Sequence, residues 1–147
     1  MHPLIRHQPD PDYPGWWTWA LPDESRFNAT IGKLLVRAEG PGKARCRMFP
    51  EERHGNIGDA VHGGAILTFI DMALFAGGHM AGMSDTGAVT LDCAVQFISA
   101  GEIGRPLDAS VELLRESGRL VFYRGMIEQE GRTVAAFSGT LRKVGQA

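Results

Sequence analysis

The sequence predicts an α+β domain in which one long apolar helix is wrapped by an antiparallel sheet. Three observations carry this. Residues 62–80 form a continuous apolar segment of helical length. β-rich runs punctuated by turn residues fill nearly everything after residue 88. The remaining helical signal is too slight to cover a second sheet face. At 147 residues the chain is long enough to bury a core without disulfides or metals. We read 1–147 as one such unit, with a proline- and tryptophan-rich lead-in over 1–30.

Each element follows from local chemistry. Pro3, Pro9, Pro11 and Pro14 remove backbone donors and restrict their neighbours, so the first 14 residues are an irregular strap over the surface. Trp16, Trp17 and Trp19 then form either an aromatic lid over a sheet or subunit edge or one wall of a substrate pocket. A short helical turn starts within Asp23–Asn28. Lys33–Glu39 and Lys43–Phe49 read as a hairpin around Gly40-Pro41-Gly42. The polar stretch 50–59, with Gly55, Asn56 and Gly58, leads into the helix, and Gly77-Gly78 and Gly82 mark its frayed end. Ile66, Leu67, Phe69, Ile70, Met72, Leu74 and Phe75 point around the whole wheel, which predicts a helix buried on all sides. Val89–Ile98, Leu107–Glu116, Leu120–Glu128 and Thr133–Val144 are four long strands, the last three joined by turns at Ser117-Gly118 and Glu130-Gly131.

Composition excludes several classes. Fifteen Lys and Arg against 17 Asp and Glu, a net charge of −2, offer no basic field for nucleic acid or anionic membrane. Cys46 and Cys93 are too isolated for a metal motif and read as reduced core residues. The amino terminus lacks a signal-like apolar region, and no apolar run reaches the ~18 residues of a spanning helix, so a cytoplasmic protein without membrane association is expected.

Asp71 is the one acid within the apolar helix, and a carboxylate there must be paired or kept for chemistry. At the start of the same helix, His62-Gly63-Gly64 presents backbone N–H groups that lack intrahelical acceptors at the positive end of the macrodipole. They suit an oxyanion, and the absent Cβ atoms let a ligand approach closely. They serve equally a tight loop-to-helix entry. Eight residues separate Gly63 from Asp71, ~12 Å along the axis, too far for both to act on one carbonyl. If both are catalytic, two antiparallel helices across a dimer two-fold bring the Gly63 end of one to Asp71 of the other. Thr90 is the best hydroxyl companion for Asp71, or a strand threonine chosen for β-propensity. Asn56 orients a carbonyl or water, or simply shapes its turn. His62 is a base or a cap.

The pattern Asn56-x-Gly58-x-x-x-His62-Gly63-Gly64, then Asp71, then Val89-Thr90-Leu91-Asp92 and Glu130-Gly131-Arg132, resembles the hotdog-fold acyl-CoA thioesterases of the phenylacetate-pathway and human-thioesterase-like branch. The resemblance covers about residues 30–145. It implies a central helix in a curved antiparallel sheet, homodimers and often dimers of dimers. It also implies an acyl-CoA substrate with no separate cofactor and no metal. Under it the Gly63 N–H polarises the thioester carbonyl near Asn56, His62 and Gly64. Asp71 of the partner subunit is base or nucleophile, and Thr90 positions water. Coenzyme A phosphates would meet Arg115 or Arg119, or Arg142 or Lys143. The other readings are a hotdog hydratase, which would need a second acid beside His62, and a non-catalytic acyl-CoA binding module, which would need no such carboxylate.

Overall fold

Alternating burial divides three of the four long strands into an inward and an outward row, and the inward rows close over one helix. The computed structural model describes residues 1–145. In chain order the elements are β1 (Trp17–Thr18), β2 (Leu34–Ala38), β3 (Lys43–Met48), α1 (Gly63–Met80), β4 (Ala88–Phe97), β5 (Leu107–Glu116), β6 (Leu120–Gln129) and β7 (Arg132–Lys143). They pair antiparallel in one sheet of order β1-β2-β3-β5-β6-β7-β4, so the strand that follows the helix crosses to the far edge. The inward row includes Val36, Cys46, Met48, Ala109, Val111, Tyr123, Phe137 and Leu141, packed on Ile66, Phe69, Ile70, Ala73 and Leu74 of the helix. This is the hotdog arrangement that the sequence resemblance implies.

The hairpin turns obey their residues. Glu130 (φ 49°) and Gly131 (φ 78°) are both left-handed, as the two-residue link between β6 and β7 requires. The short helical turn is a 3-10 turn at Phe27–Ile31, slightly later than expected. β1 is an addition: Trp17 and Thr18 pair with Val36 and Leu35, and isolated bridges Arg6↔Ala20 and Pro9↔Trp17 fold the first residues back over it. Trp16 is buried between the guanidinium groups of Arg37 and Arg47, whose central carbons lie 4.4 and 4.5 Å from its ring.

Two expectations about the helix are corrected. Gly77 and Gly78 do not fray; they are buried helical residues where the sheet comes closest. A Cβ on Gly77 would stand 2.8 Å from Val111 Cγ2, and one on Gly78 would stand 2.9 Å from Tyr123 Cζ. Absent side chains here let helix and sheet pack, and the helix ends only at Ala81. Nor is the helix buried all round. Gly64, Leu67 and Asp71 form an exposed stripe within the single chain, with Leu67 42 % exposed, because the sheet covers only one side. The 18-residue helix has mean hydropathy 1.2 and so reaches membrane-spanning length and composition, contrary to the sequence reading, but it lies against the sheet as a core element. Cys46 is buried, which pushes its thiol up; Cys93 is only partly buried, on β4.

Candidate active site

The entry to α1 is built by a small pinned loop. His54 is buried and donates from Nε2 to the Thr30 carbonyl at 2.7 Å, while its Nδ1 accepts the Glu51 N–H at 2.8 Å. Its own carbonyl accepts the His62 N–H at 2.8 Å, and Gly55 bridges Val61. Asn56 Oδ1 accepts from the N–H groups of Gly58 (2.8 Å) and Ala60 (3.0 Å). The Asn56 side-chain carbonyl is therefore spent on the turn, and what it can offer a ligand is its amide N–H₂ group.

At the helix start His62 is the N-cap: its Nδ1 accepts the Gly64 N–H at 2.8 Å, which places the ring proton on Nε2. Ala65 and Ile66 donate to the His62 carbonyl. The Gly63 N–H is left with no acceptor among the described residues. One donor of the first turn is thus free at the positive end of an 18-residue dipole, while its neighbour is satisfied. The Phe97 ring of β4 stands over Gly63, 3.5 Å from where a Cβ would be.

Asp71 lies two turns further on, on the exposed stripe, and its Oδ1 accepts a hydrogen bond of 2.6 Å from the Thr90 hydroxyl of β4. The expected companion is the right one, and it holds a carboxylate that protein does not cover in the single chain. Gly63 and Asp71 stay apart on one rigid helix, as the residue count requires. Arg115 and Arg119 are exposed near the β5–β6 turn, where their side chains have no partner among the described residues. That turn lies at the other end of the helix: Glu116 of β5 binds Ser84, just beyond the C-terminus of α1. Lys143 is not free, since its ammonium donates to the Ser117 carbonyl at 2.8 Å and pairs with Glu116. Among the described residues no group of three or more His, Cys, Asp or Glu could hold a metal ion.

Two clefts flank the exposed side of the helix. One, of about 440 Å³, is walled by His62, Gly64 and Thr68 and, opposite, by Phe27 and Ile31. The other, of about 460 Å³, is walled by Met72 and by Trp19, Leu21 and Ile5 of the lead-in. Sequence reasoning missed Thr68 and Met72, although their spacing of four and eight residues from Gly64 places all three on one helix row.

The thioesterase superfamily model matches residues 58–136, more than half of the chain. The human acyl-coenzyme A thioesterase 13 is 28 % identical over 109 residues, covering 70 % of this chain and 73 % of that protein. The phenylacetic acid degradation protein PaaI of Thermus thermophilus superposes with a TM-score of 0.68 at 26 % identity, covering 80 % of this chain and 98 % of that one. A Streptococcus mutans protein bound to acetyl-CoA shares the fold with a TM-score of 0.66 at 18 % identity, covering 76 % of this chain and 88 % of its own. A matched family model over the helix entry, the acid and most of the sheet, on this fold, makes the chain a member of the thioesterase superfamily, a PaaI-like hotdog thioesterase.

Proposed function

We propose that the protein hydrolyses an acyl-CoA thioester in a site completed by two copies of the chain. One observation carries the reading: a free Gly63 N–H and an exposed, Thr90-held Asp71 stand ~12 Å apart on the same helix. Each is half of a hydrolytic site, and an antiparallel second helix supplies the missing half to both. The acyl-CoA substrate is supported by relatives named for that activity and by acetyl-CoA in a structure of the same fold.

In this reading the carbonyl oxygen accepts from the Gly63 N–H, and the helix dipole offsets the charge that grows on it. Asp71 of the partner subunit draws a proton from water as the water oxygen bonds to the carbonyl carbon. Collapse of the tetrahedral intermediate breaks the C–S bond, and the proton passes to the departing thiolate. Direct attack by Asp71 is the other route open to the same carboxylate; it expels the thiolate and forms a mixed anhydride, and water opening that anhydride at the Asp71 carbonyl would leave heavy oxygen from labelled water in the protein after one turnover. Arg115 and Arg119, exposed and without protein partners among the described residues, are the proposed contacts for coenzyme A phosphates. No separate cofactor enters this chemistry.

The long edge strand β4 favours a homodimer. It is ten residues long with Leu91 52 % and Phe97 53 % exposed, a free edge that natural proteins normally cover or blunt.

The test uses two variants. Asp71→Asn removes the base and should cost about 10²–10⁴-fold in turnover. Gly63→Pro deletes the free N–H and adds a ring beside Phe97: proline suits the first helical position, and His62 is already extended (φ −61°, ψ 137°) as a residue before proline must be. Each variant alone should be nearly inactive in a free-thiol assay with acyl-CoA. Refolded together, half of the dimers are mixed and carry one intact site, which restores about a quarter of wild-type activity. Absence of restoration would show that the site does not span two copies.

A further inference from the structure

The lead-in that wraps the surface lies ahead of the segment matched by the thioesterase family model, yet it walls the cleft next to the one at the helix entry. We propose that residues 1–33 form the outer wall and end stop of the acyl groove, with Met72 and Trp19 setting the length of acyl chain accepted. The proposal rests on the acyl-CoA reading of the site and names which arm of the thioester goes where.

Continuity comes first. Gly64, Thr68 and Met72 recur every four residues, so they form one row along the helix over ~12 Å. Gly64 and Thr68 line the cleft beside the free Gly63 N–H, Met72 lines the next, and the two clefts share Thr30 and Arg53. A thioester held by its carbonyl oxygen at Gly63 can therefore lay one arm along this row.

Charge decides which arm. The nucleotide arm carries phosphates and has to find cations and water. Along the groove the cations are already neutralised: Lys33 pairs with Asp10 at 2.9 Å and Arg53 with Glu51 at 3.0 Å, and Glu24 adds a carboxylate. Cations already paired in this way offer a phosphate less than Arg115 and Arg119 do, which are unpaired among the described residues. Ile5, Trp19 and Leu21 line the groove together with Met72, an apolar part suited to a hydrocarbon. Phe27, 70 % exposed on the wall of the cleft that Thr68 also lines, is a large aromatic face, and an acyl chain in the groove would lie against it.

The stop is firmly held. The Trp19 N–H of the backbone donates to the Leu34 carbonyl at 3.1 Å, and its ring packs on His7 and His79 with centroids 5.7 and 5.5 Å away. A wall held in place in this way discriminates by length, and a methylene too many in such a pocket costs roughly 10- to 200-fold in kcat/KM.

The experiment is a panel of straight-chain acyl-CoAs from acetyl to palmitoyl, read by free-thiol release, on the wild-type chain and on Met72→Trp, Trp19→Ala and Trp19→Phe. Thermal unfolding of each is recorded alongside. Met72→Trp should lower the ratio of kcat/KM for the longest accepted chain to that for acetyl-CoA by roughly 10- to 200-fold. Trp19→Ala should move the profile to longer chains, and Trp19→Phe should return it toward wild type. If Trp19→Ala unfolds, the Met72→Trp ratio decides. An active wild type whose length profile is unmoved in the folded variants overturns the proposal and leaves the activity reading standing. A wild type inactive on the whole panel overturns both.

Discussion

Asp71 carries a charge that its own chain leaves in water, and Thr90 is the only side chain that the described residues place on it by a hydrogen bond. A hydroxyl donating to a carboxylate fixes its orientation. Thr90→Val keeps the shape but deletes the donor. A hydrogen bond to a charged group contributes about 1.5–3 kcal/mol, so kcat should fall roughly 10- to 100-fold, while Thr90→Ser should retain most of the activity. Steady-state kinetics on one acyl-CoA read both. At the other half of the site, His62 uses Nδ1 on the Gly64 N–H, so its first role is to cap the helix and leave Gly63 as the unpaired donor. Its Nε2 proton faces the task of a donor, not that of a base. Asn56 likewise spends its carbonyl on the loop, which explains why a residue of the motif is also a turn former.

At the scale of elements, the helix is held against the sheet by what Gly77 and Gly78 lack. Gly78→Ala would raise helix propensity, yet its Cβ would press into the buried Tyr123 ring, and overpacking of this kind costs about 1–3 kcal/mol. Chemical denaturation should show a loss of stability in spite of the better helix former. The lead-in is tied to the far end of the same helix by the cluster of His7, Trp17, Trp19 and His79. Burial first, and then the neighbouring His7 and the amino terminus, hold His79 below the ordinary histidine value of 6.5. The folded state therefore favours neutral His79. Its contribution is fully present above 6.5 and is lost as the pH falls through the lower folded value. Acidification should loosen the lead-in, seen as a red shift of tryptophan emission, and His79→Phe should remove that transition.

For the whole molecule, the proposed pairing of Gly63 with Asp71 of a partner subunit would define a two-fold. Residues 63 and 71 average to 67, so that pairing would put Leu67 on the axis opposite its own copy. Leu67 is the large apolar residue that the single chain leaves 42 % exposed on this stripe. Leu67→Asp would set two carboxylates against each other there. Sedimentation should then report monomers, circular dichroism an intact fold, and the thiol assay a loss of turnover, because neither half-site is complete alone. Retained activity in a proven monomer would contradict the shared site.

Much of the fold was legible because it is written locally. Alternating strands, the Gly40-Pro41-Gly42 and Glu130-Gly131 turns and the apolar run after His62 are statements about neighbouring residues, and period and turn chemistry decide them. The separation of Gly63 from Asp71 is equally local, since it follows from helix rise, and so the sequence by itself determined that one chain could not complete the proposed site. Tertiary structure decided the rest. Which strand lies at the free edge depends on the crossover of β4 past β7, which no window of residues encodes. Gly77 and Gly78 look like a helix end until the sheet that needs their missing side chains is in place. Likewise Trp19 and Met72 line one cleft only because the lead-in folds back. Long-range packing chooses which surfaces stay open, and those are features on which the proposed chemistry depends.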